Sequence, residues 1–245
     1  MKIDYKEISK IYDKHRSYPK SLIKRIIELG KLNDGMKILD MGCGTGNLSC
    51  QLMELINVEI IGVDVSFPML ERAKNKGLEA ICSDIDKNYL PFNSNAFDVI
   101  IGAYIIHQFN NLRFMFSECR RILKGGSLVL LTSSHKQIEH QHPVINKFFP
   151  SYRNVDKNRF PDIPEIECFL KAVGFMDIRY TEVLVDDFAI DQEYLKKVRN
   201  KYVSTYHLIP QKEYEYGVER LETFIRNSKY PELRQWRGTL VCGRN

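Results

Sequence analysis

No stretch of this 245-residue chain approaches the roughly 18 consecutive apolar residues that a membrane-spanning helix needs. Its first residues, "MKIDYKEISKIYDKHR", are polar and mixed in charge. They lack the apolar centre of a secretory signal, so a cytoplasmic protein is expected. Cys43, Cys50, Cys82, Cys119, Cys168 and Cys242 are scattered, with no C-x-x-C pair. That excludes a disulfide framework of closely spaced cysteines and suits thiols kept reduced. A strong charge of one sign is also missing. Thirty-six Lys and Arg against 31 Asp and Glu leave +5, with both signs interspersed, which allows a nucleic-acid partner without suggesting one. Internal repeats, low-complexity tracts and linkers are absent, so residues 1–245 are read as a single domain. The stretch "SHKQIEHQH" gathers His135, Glu139, His140 and His142 but lacks the H-E-x-x-H spacing and any nearby cysteine; a polar loop is expected there, and no metal.

What is present is a rhythm. Residues 18–29 carry Leu22, Ile23, Ile26, Ile27 and Leu29 at helical spacing, with Gly30 as a stop. "KILDM" then reads as a strand, "NLSCQLMEL" as a helix and "VEIIGVDV" as a second strand. "PMLERAKNKG" is a helix opened by Pro68 and closed by Gly77. "EAICSD", "FDVIIGAYII" and "SLVLLTS" are three more strands, with "LRFMFSECRRILKGG" as the helix before the last of them. Strands alternating with helices imply a doubly wound, mostly parallel α/β sheet, and the nearly continuous apolar runs imply burial on both faces. After residue 134 the rhythm loosens. "EIECFLKAVGF" restores a helix, "MDIRYTEVLV" a strand, residues 187–232 read as helices, and "WRGTLVCGR" ends the chain as an antiparallel last strand. Residues 135–160 and 187–232 are taken as insertions on the substrate side.

"ILDMGCGTGN", residues 38–47, carries the chemistry. Gly42, Gly44 and Gly46 follow the first strand and precede a helix, where glycine permits positive φ and lets a ligand approach the backbone. Asp64 closes the next strand, 22 residues after Gly42, at the spacing of an acid that bonds two ribose hydroxyls. The pair points to an adenosine-type ligand. Position 47 is Asn, where the nicotinamide fingerprint G-x-G-x-x-G would need its third glycine, and no Walker lysine follows the loop.

Taken together, "ILDMGCGTGNLS", "IIGVDVSFPMLERAK", "AICSDIDKNYLPFNSNAFDVIIGAYIIHQF" and "RRILKGGSLVLL" resemble, in order, the motifs of the class I, seven-strand S-adenosylmethionine-dependent methyltransferases. The likeness is tight over residues 36–133 and is nearest the small-molecule branch that includes quinone-biosynthesis methyltransferases. It implies that Asp40 and the backbone of Gly42, Cys43, Gly44 and Gly46 hold the methionine part. It implies that Asp64, beside Val65, takes the ribose hydroxyls, that Met69 lines the adenine pocket, and that Asp84 accepts from the adenine amino group next to the Ile85 backbone. Ala103 and Tyr104 would flank the sulfonium. Tyr12 and Arg16 look like the lid, within an N-terminal segment 1–30, that such enzymes place over the methionine end. His107 and Tyr104 stand at the strand end where a general base would be needed for a protonated acceptor. The expected activity is methyl transfer to a small molecule. A tRNA or rRNA methyltransferase and a non-catalytic adenosyl-ligand binder are the alternatives; "GAYIIH" replaces the N-P-P-Y-like residues of base-methylating enzymes.

Overall fold

The computed structural model describes residue 13, residues 17–140 and residues 143–245. Five strands run in parallel: β1 (Lys37–Met41), β2 (Glu59–Asp64), β3 (Glu79–Cys82), β4 (Phe97–Ala103) and β5 (Leu123–Thr132). β6 (Met176–Ile190) and β7 (Glu232–Arg244) complete a seven-stranded sheet of order β3-β2-β1-β4-β5-β7-β6. β7 is antiparallel to both its neighbours, as its position after the last insertion leads one to expect. The order reverses between β1 and β4, which places a crevice beyond their carboxyl ends.

Helices cover both faces. On one side α1 (Lys20–Gly30), α2 (Asn47–Met53) and α3 (Phe67–Asn75) press Leu22, Ile23, Ile26, Leu52 and Leu70 against Ile38, Ile60 and Val99. On the other, α4 (Leu112–Ile122) presents Met115, Phe116 and Cys119 to Leu39, Met41, Ile100 and Leu130. Burial on both faces is why the central strands alternate so little between apolar and polar. The "LPF" connection before β4 is clamped from α4: Leu90 N–H donates to Glu118 Oε2 (3.0 Å), and Arg121 donates to the Phe92 carbonyl (2.8 Å). The Arg121 hydrogen bond holds the Glu118 carboxyl below its ordinary range.

Three segments differ from the sequence reading. "LKGG" belongs to β5, not to the end of α4; the helix stops at Ile122, and Gly125 turns the strand at φ 66°. "SHKQIEH" forms α5 (His135–His140) instead of a loop, followed by α6 (Pro143–Phe148), α7 (Tyr152–Arg159) and α8 (Ile163–Ala172). β6 runs on to Ile190 and β7 begins at Glu232, so the helical part of the last insertion is confined to α9 (Gln192–Arg199), a short turn (Ser204–His207) and α10 (Gln211–Asn227). β7 pairs with β5 only from Thr239 onward, while residues 232–238 pair with the end of β6 alone. This two-stranded ribbon rises past the carboxyl end of β5 and carries the insertion.

The two insertions meet. Phe148, Phe149 and Tyr152 from the first pack with Tyr194, Val198, Tyr206, Tyr214 and Leu221 from the second in a third hydrophobic cluster. Tyr206 is fully buried, with edge-on rings of Phe149 and Tyr152 each at 5.2 Å. Tyr214 Oη donates to the Val198 carbonyl (3.0 Å), which satisfies a buried hydroxyl. This cap is a packed lobe standing over the ligand end of the sheet. Among the described residues, no helix is long and apolar enough to cross a membrane.

Candidate active site

An open cleft of about 760 Å³, counting the solvent at its mouth, lies over the carboxyl ends of β1 to β4. The glycine loop forms its floor. Gly42, Gly44 and Gly46 all have positive φ, at 71°, 54° and 78°. Gly42 is also sterically fixed: a Cβ there would lie 2.5 Å from the Ile105 side chain. Gly42 N–H and Cys43 N–H both donate to the Val63 carbonyl, tying the loop to β2. Asp64 completes the tie, its Oδ2 accepting from Gly44 N–H (2.9 Å) and its Oδ1 from Ser66 N–H (2.8 Å). Burial raises the Asp64 pKa, and those backbone donors oppose the rise. A carboxylate has about four lone-pair sites, so two bonds to the loop leave room for two ligand hydroxyls.

The other walls come from the strand ends. Val65 and Met69 follow β2, Asp84 and Ile85 follow β3, and Ala103 and Tyr104 end β4; all border the cleft, as do Gly42, Gly44 and Asp64. Asp84 is paired with Lys87 at 2.8 Å. Ser83, Asp86, Ile105, Gln108 and Phe109 also border the cleft, and motif reading passed over them. The acid spacing in "SDID" and the aromatic in "IIHQF" were the available signals.

Other residues in the sequence reading stand elsewhere. Asp40 is 2% exposed, off the cleft wall, and accepts from Ser49 Oγ (2.6 Å); burial lifts its pKa to about 7. Cys43 packs inward against Gly62, and Gly46 caps α2; neither borders the cleft. His107, in a short turn after β4 (Ile106–Gln108), stacks on Phe160 with centroids 4.1 Å apart and is not part of the cleft wall. A 3₁₀ turn shifts successive side chains by about 120°, so adjacency to a site in sequence does not place a side chain in it. Tyr12 and Arg16 lie outside the described residues. Asp13, between them, accepts from Thr45 Oγ1 in the glycine loop and pairs with Lys76 (2.7 Å). Among the described residues no His, Cys, Asp and Glu gather in a metal-binding group. Glu139 is engaged by Arg153 and Lys157, and His135 and His140 each bond a backbone carbonyl.

Tyr104 holds a distinct position. Its φ is 53°, a left-handed value costly for a non-glycine residue and concentrated at functional sites. Its ring borders the cleft and meets Trp236 (5.1 Å) and Phe160 (6.5 Å) on the cap side. Gly238 of β7 makes room: a Cβ there would lie 2.8 Å from the Tyr104 hydroxyl.

The cleft suits an adenosyl ligand. Met69, Ile85 and Phe109 give an apolar slot of a kind that takes a planar ring, Asp64 presents a carboxylate at the cleft wall, and glycine permits close approach at the loop. The comparisons agree. A family profile described as a methyltransferase domain matches residues 39–131. Malonyl-[acyl-carrier protein] O-methyltransferase of Legionella pneumophila is 30% identical over 70% of this chain and 64% of its own length, so the match spans just under two thirds of that relative. Demethylmenaquinone methyltransferase of Lactococcus lactis is 28% identical over 72% of this chain and 82% of its own. A solved chain from Anabaena variabilis, ascribed to the methyltransferases of an antibiotic biosynthesis pathway, superposes with a TM-score of 0.76 at 22% identity, covering 94% of this chain and 99% of that one; it shares the fold. Motif order, sheet topology and these relatives agree: over residues 39–131 the chain is similar to a methyltransferase domain, and its sheet has the topology of the class I S-adenosylmethionine-dependent methyltransferases it resembles.

Proposed function

We propose that the protein transfers a methyl group from S-adenosylmethionine to a small-molecule acceptor held between the cleft and the cap. The observation that carries this reading is the position of Tyr104, shared by the cofactor cleft and the aromatic underside of the cap. Two relatives named for a menaquinone precursor and a malonyl carrier are consistent with a small acceptor group.

When bound, the cofactor supplies an electrophilic methyl on a sulfonium. The chain's own work is then placement and exclusion of water. Asp64 would hold the ribose, with Val65 beside it. Met69 and Ile85 would sandwich the adenine, and Asp84 would accept from its amino group. Gly42 and Gly44 would bring backbone against the methionine part, and Ala103 and Tyr104 would border the reacting methyl. Asp40, Cys43 and Gly46 would act from behind by fixing the loop. Asp40, uncharged at neutral pH in part, is poised to become a carboxylate when an ammonium group comes near. Holding two reactants in line is worth on the order of 7–11 kcal/mol in favourable cases, so orientation can carry much of the rate. His107 would serve by buttressing Phe160, and Tyr104 by positioning the acceptor.

Calorimetry tests the reading. S-adenosylmethionine and S-adenosylhomocysteine should bind, and NADH should not. Tight NADH binding with no response to the adenosyl ligands would refute it.

A further inference from the structure

Behind Tyr104 lies a second, narrower cavity of about 430 Å³, counting its mouth. Its wall includes the rings of Tyr152, Phe160, Tyr202 and Trp236 and one carboxyl group, Asp156. The two spaces share a partition, since Tyr104 borders the cofactor cleft and its ring meets Phe160 and Trp236. The cavity is built from chain-distant parts. α7 supplies Tyr152 and Asp156, the last insertion supplies Tyr202 and Val203, and β7 supplies Trp236.

Asp156 is held firmly and only half satisfied. Thr205 Oγ1 donates to its Oδ1 at 2.7 Å. Arg159 Nη1 forms an ion pair with the same oxygen at 3.6 Å, and Arg159 Nη2 donates to Ser204 Oγ (3.2 Å). Among the described residues no hydrogen bond reaches Oδ2. Burial raises the pKa of this carboxyl, so the site is improved by a positive partner and worsened by a negative one. Ring faces carry the negative end of the aromatic quadrupole, and beside a half-buried carboxylate they favour the same guest. An anionic guest would meet the Asp156 carboxylate in a largely aromatic wall. A purely apolar one would leave Oδ2 desolvated without compensation.

We propose that this cavity seats a cationic amine of the methyl acceptor, so that the acceptor is an amine-bearing small molecule. The inference rests on the methyltransferase reading above and narrows it, since aromatic residues among scattered Arg and Lys would by composition alone suit a planar or anionic acceptor equally well.

Trp236 is the only tryptophan in the chain, so intrinsic fluorescence reports on the cavity wall. The protein, saturated with S-adenosylhomocysteine, is titrated with three probes. They are choline, its carbon isostere bearing tert-butyl in place of trimethylammonium, and benzoate. Choline should change the Trp236 emission saturably, and the isostere should bind at least ~10-fold more weakly, as expected for a desolvated cation–π site. Asp156→Asn should weaken choline ~10-fold or more while S-adenosylhomocysteine binding, read by calorimetry, stays within about twofold. Should Asp156→Asn fail to fold, Tyr202→Leu is read in its place, with choline weakened ~3-fold or more. Isostere or benzoate binding as tightly as choline overturns the proposal, as does unchanged choline affinity in a folded variant. Loss of S-adenosylhomocysteine binding in the unaltered protein would instead strike the methyltransferase reading, a separate result from the choline titration.

Discussion

The cofactor half and the cap solve the same problem differently. In the cofactor half each wall of the cleft is a strand end and the loop after it, so a few local residues suffice: Gly42 and Gly44 after β1, Asp64 after β2, Asp84 after β3 and Tyr104 after β4. In the cap no local motif exists. Tyr152 and Asp156 meet Tyr202 and Thr205 across some fifty residues of chain, Thr205 and Asp156 being 49 positions apart. The parallel sheet fixes where the cleft lies, whereas the cap is positioned by its own aromatic core. Damage to one half should therefore leave the other largely intact.

Tyr206→Ala should have the largest effect. Tyr206 is fully buried in the cap core, and an aromatic-to-alanine change there costs about 3–5 kcal/mol. The loss should appear as faster hydrogen exchange in α7, α9 and α10, with S-adenosylhomocysteine affinity nearly unchanged. Equal loss of protection in β1 and β2 would show that the two halves unfold as one unit. In the last insertion Tyr194, Tyr206 and Tyr214 pack in the cap core, whereas Tyr202 borders the cavity that holds Asp156.

A pH titration probes the cofactor half next. Asp40 has its pKa raised to about 7 against 3.8 unfolded. Its contribution to stability is thus complete below about pH 4 and lost as pH rises through about 7, on the order of 4 kcal/mol in all. Asp156, raised to about 6, adds a slope of the same sign from the cap. Ligand-free protein should therefore lose stability between about pH 4 and pH 7, and Asp40→Asn should flatten that fall in chemical denaturation. An unaltered slope would mean that Asp40 is already ionised in the native state.

Asp64→Ala should weaken S-adenosylhomocysteine by roughly 2–4 kcal/mol in a folded protein, since charge-assisted bonds to ribose hydroxyls and the brace on Gly44 go together. Affinity within twofold of the parent would place the ribose elsewhere. The smallest effect tests the border between the halves. Gly238→Ala puts a methyl 2.8 Å from the Tyr104 hydroxyl, an overpacking of about 1–3 kcal/mol. Turnover should fall while cofactor binding holds; cofactor binding falling in parallel would show that Tyr104, on the cleft wall, holds the cofactor and not the acceptor alone.

From sequence alone came the strand–helix order, the antiparallel last strand, the glycine loop and the acids at the strand ends. Each rests on residues close together in the chain: backbone freedom at Gly42, or a carboxylate at the last position of β2. Tertiary structure decided which side chains face the ligand. It turned Asp40 and Cys43 inward, stacked His107 on Phe160, and brought Asp86 and Phe109 to the cleft. It also decided that Tyr194, Tyr206 and Tyr214 are buried in a core, while Tyr152, Tyr202 and Trp236 line a cavity with Asp156. Composition cannot distinguish an aromatic ring that packs from one that lines a cavity, because both bury the same surface; only the fold decides whether the facing space is filled by protein or left for a ligand.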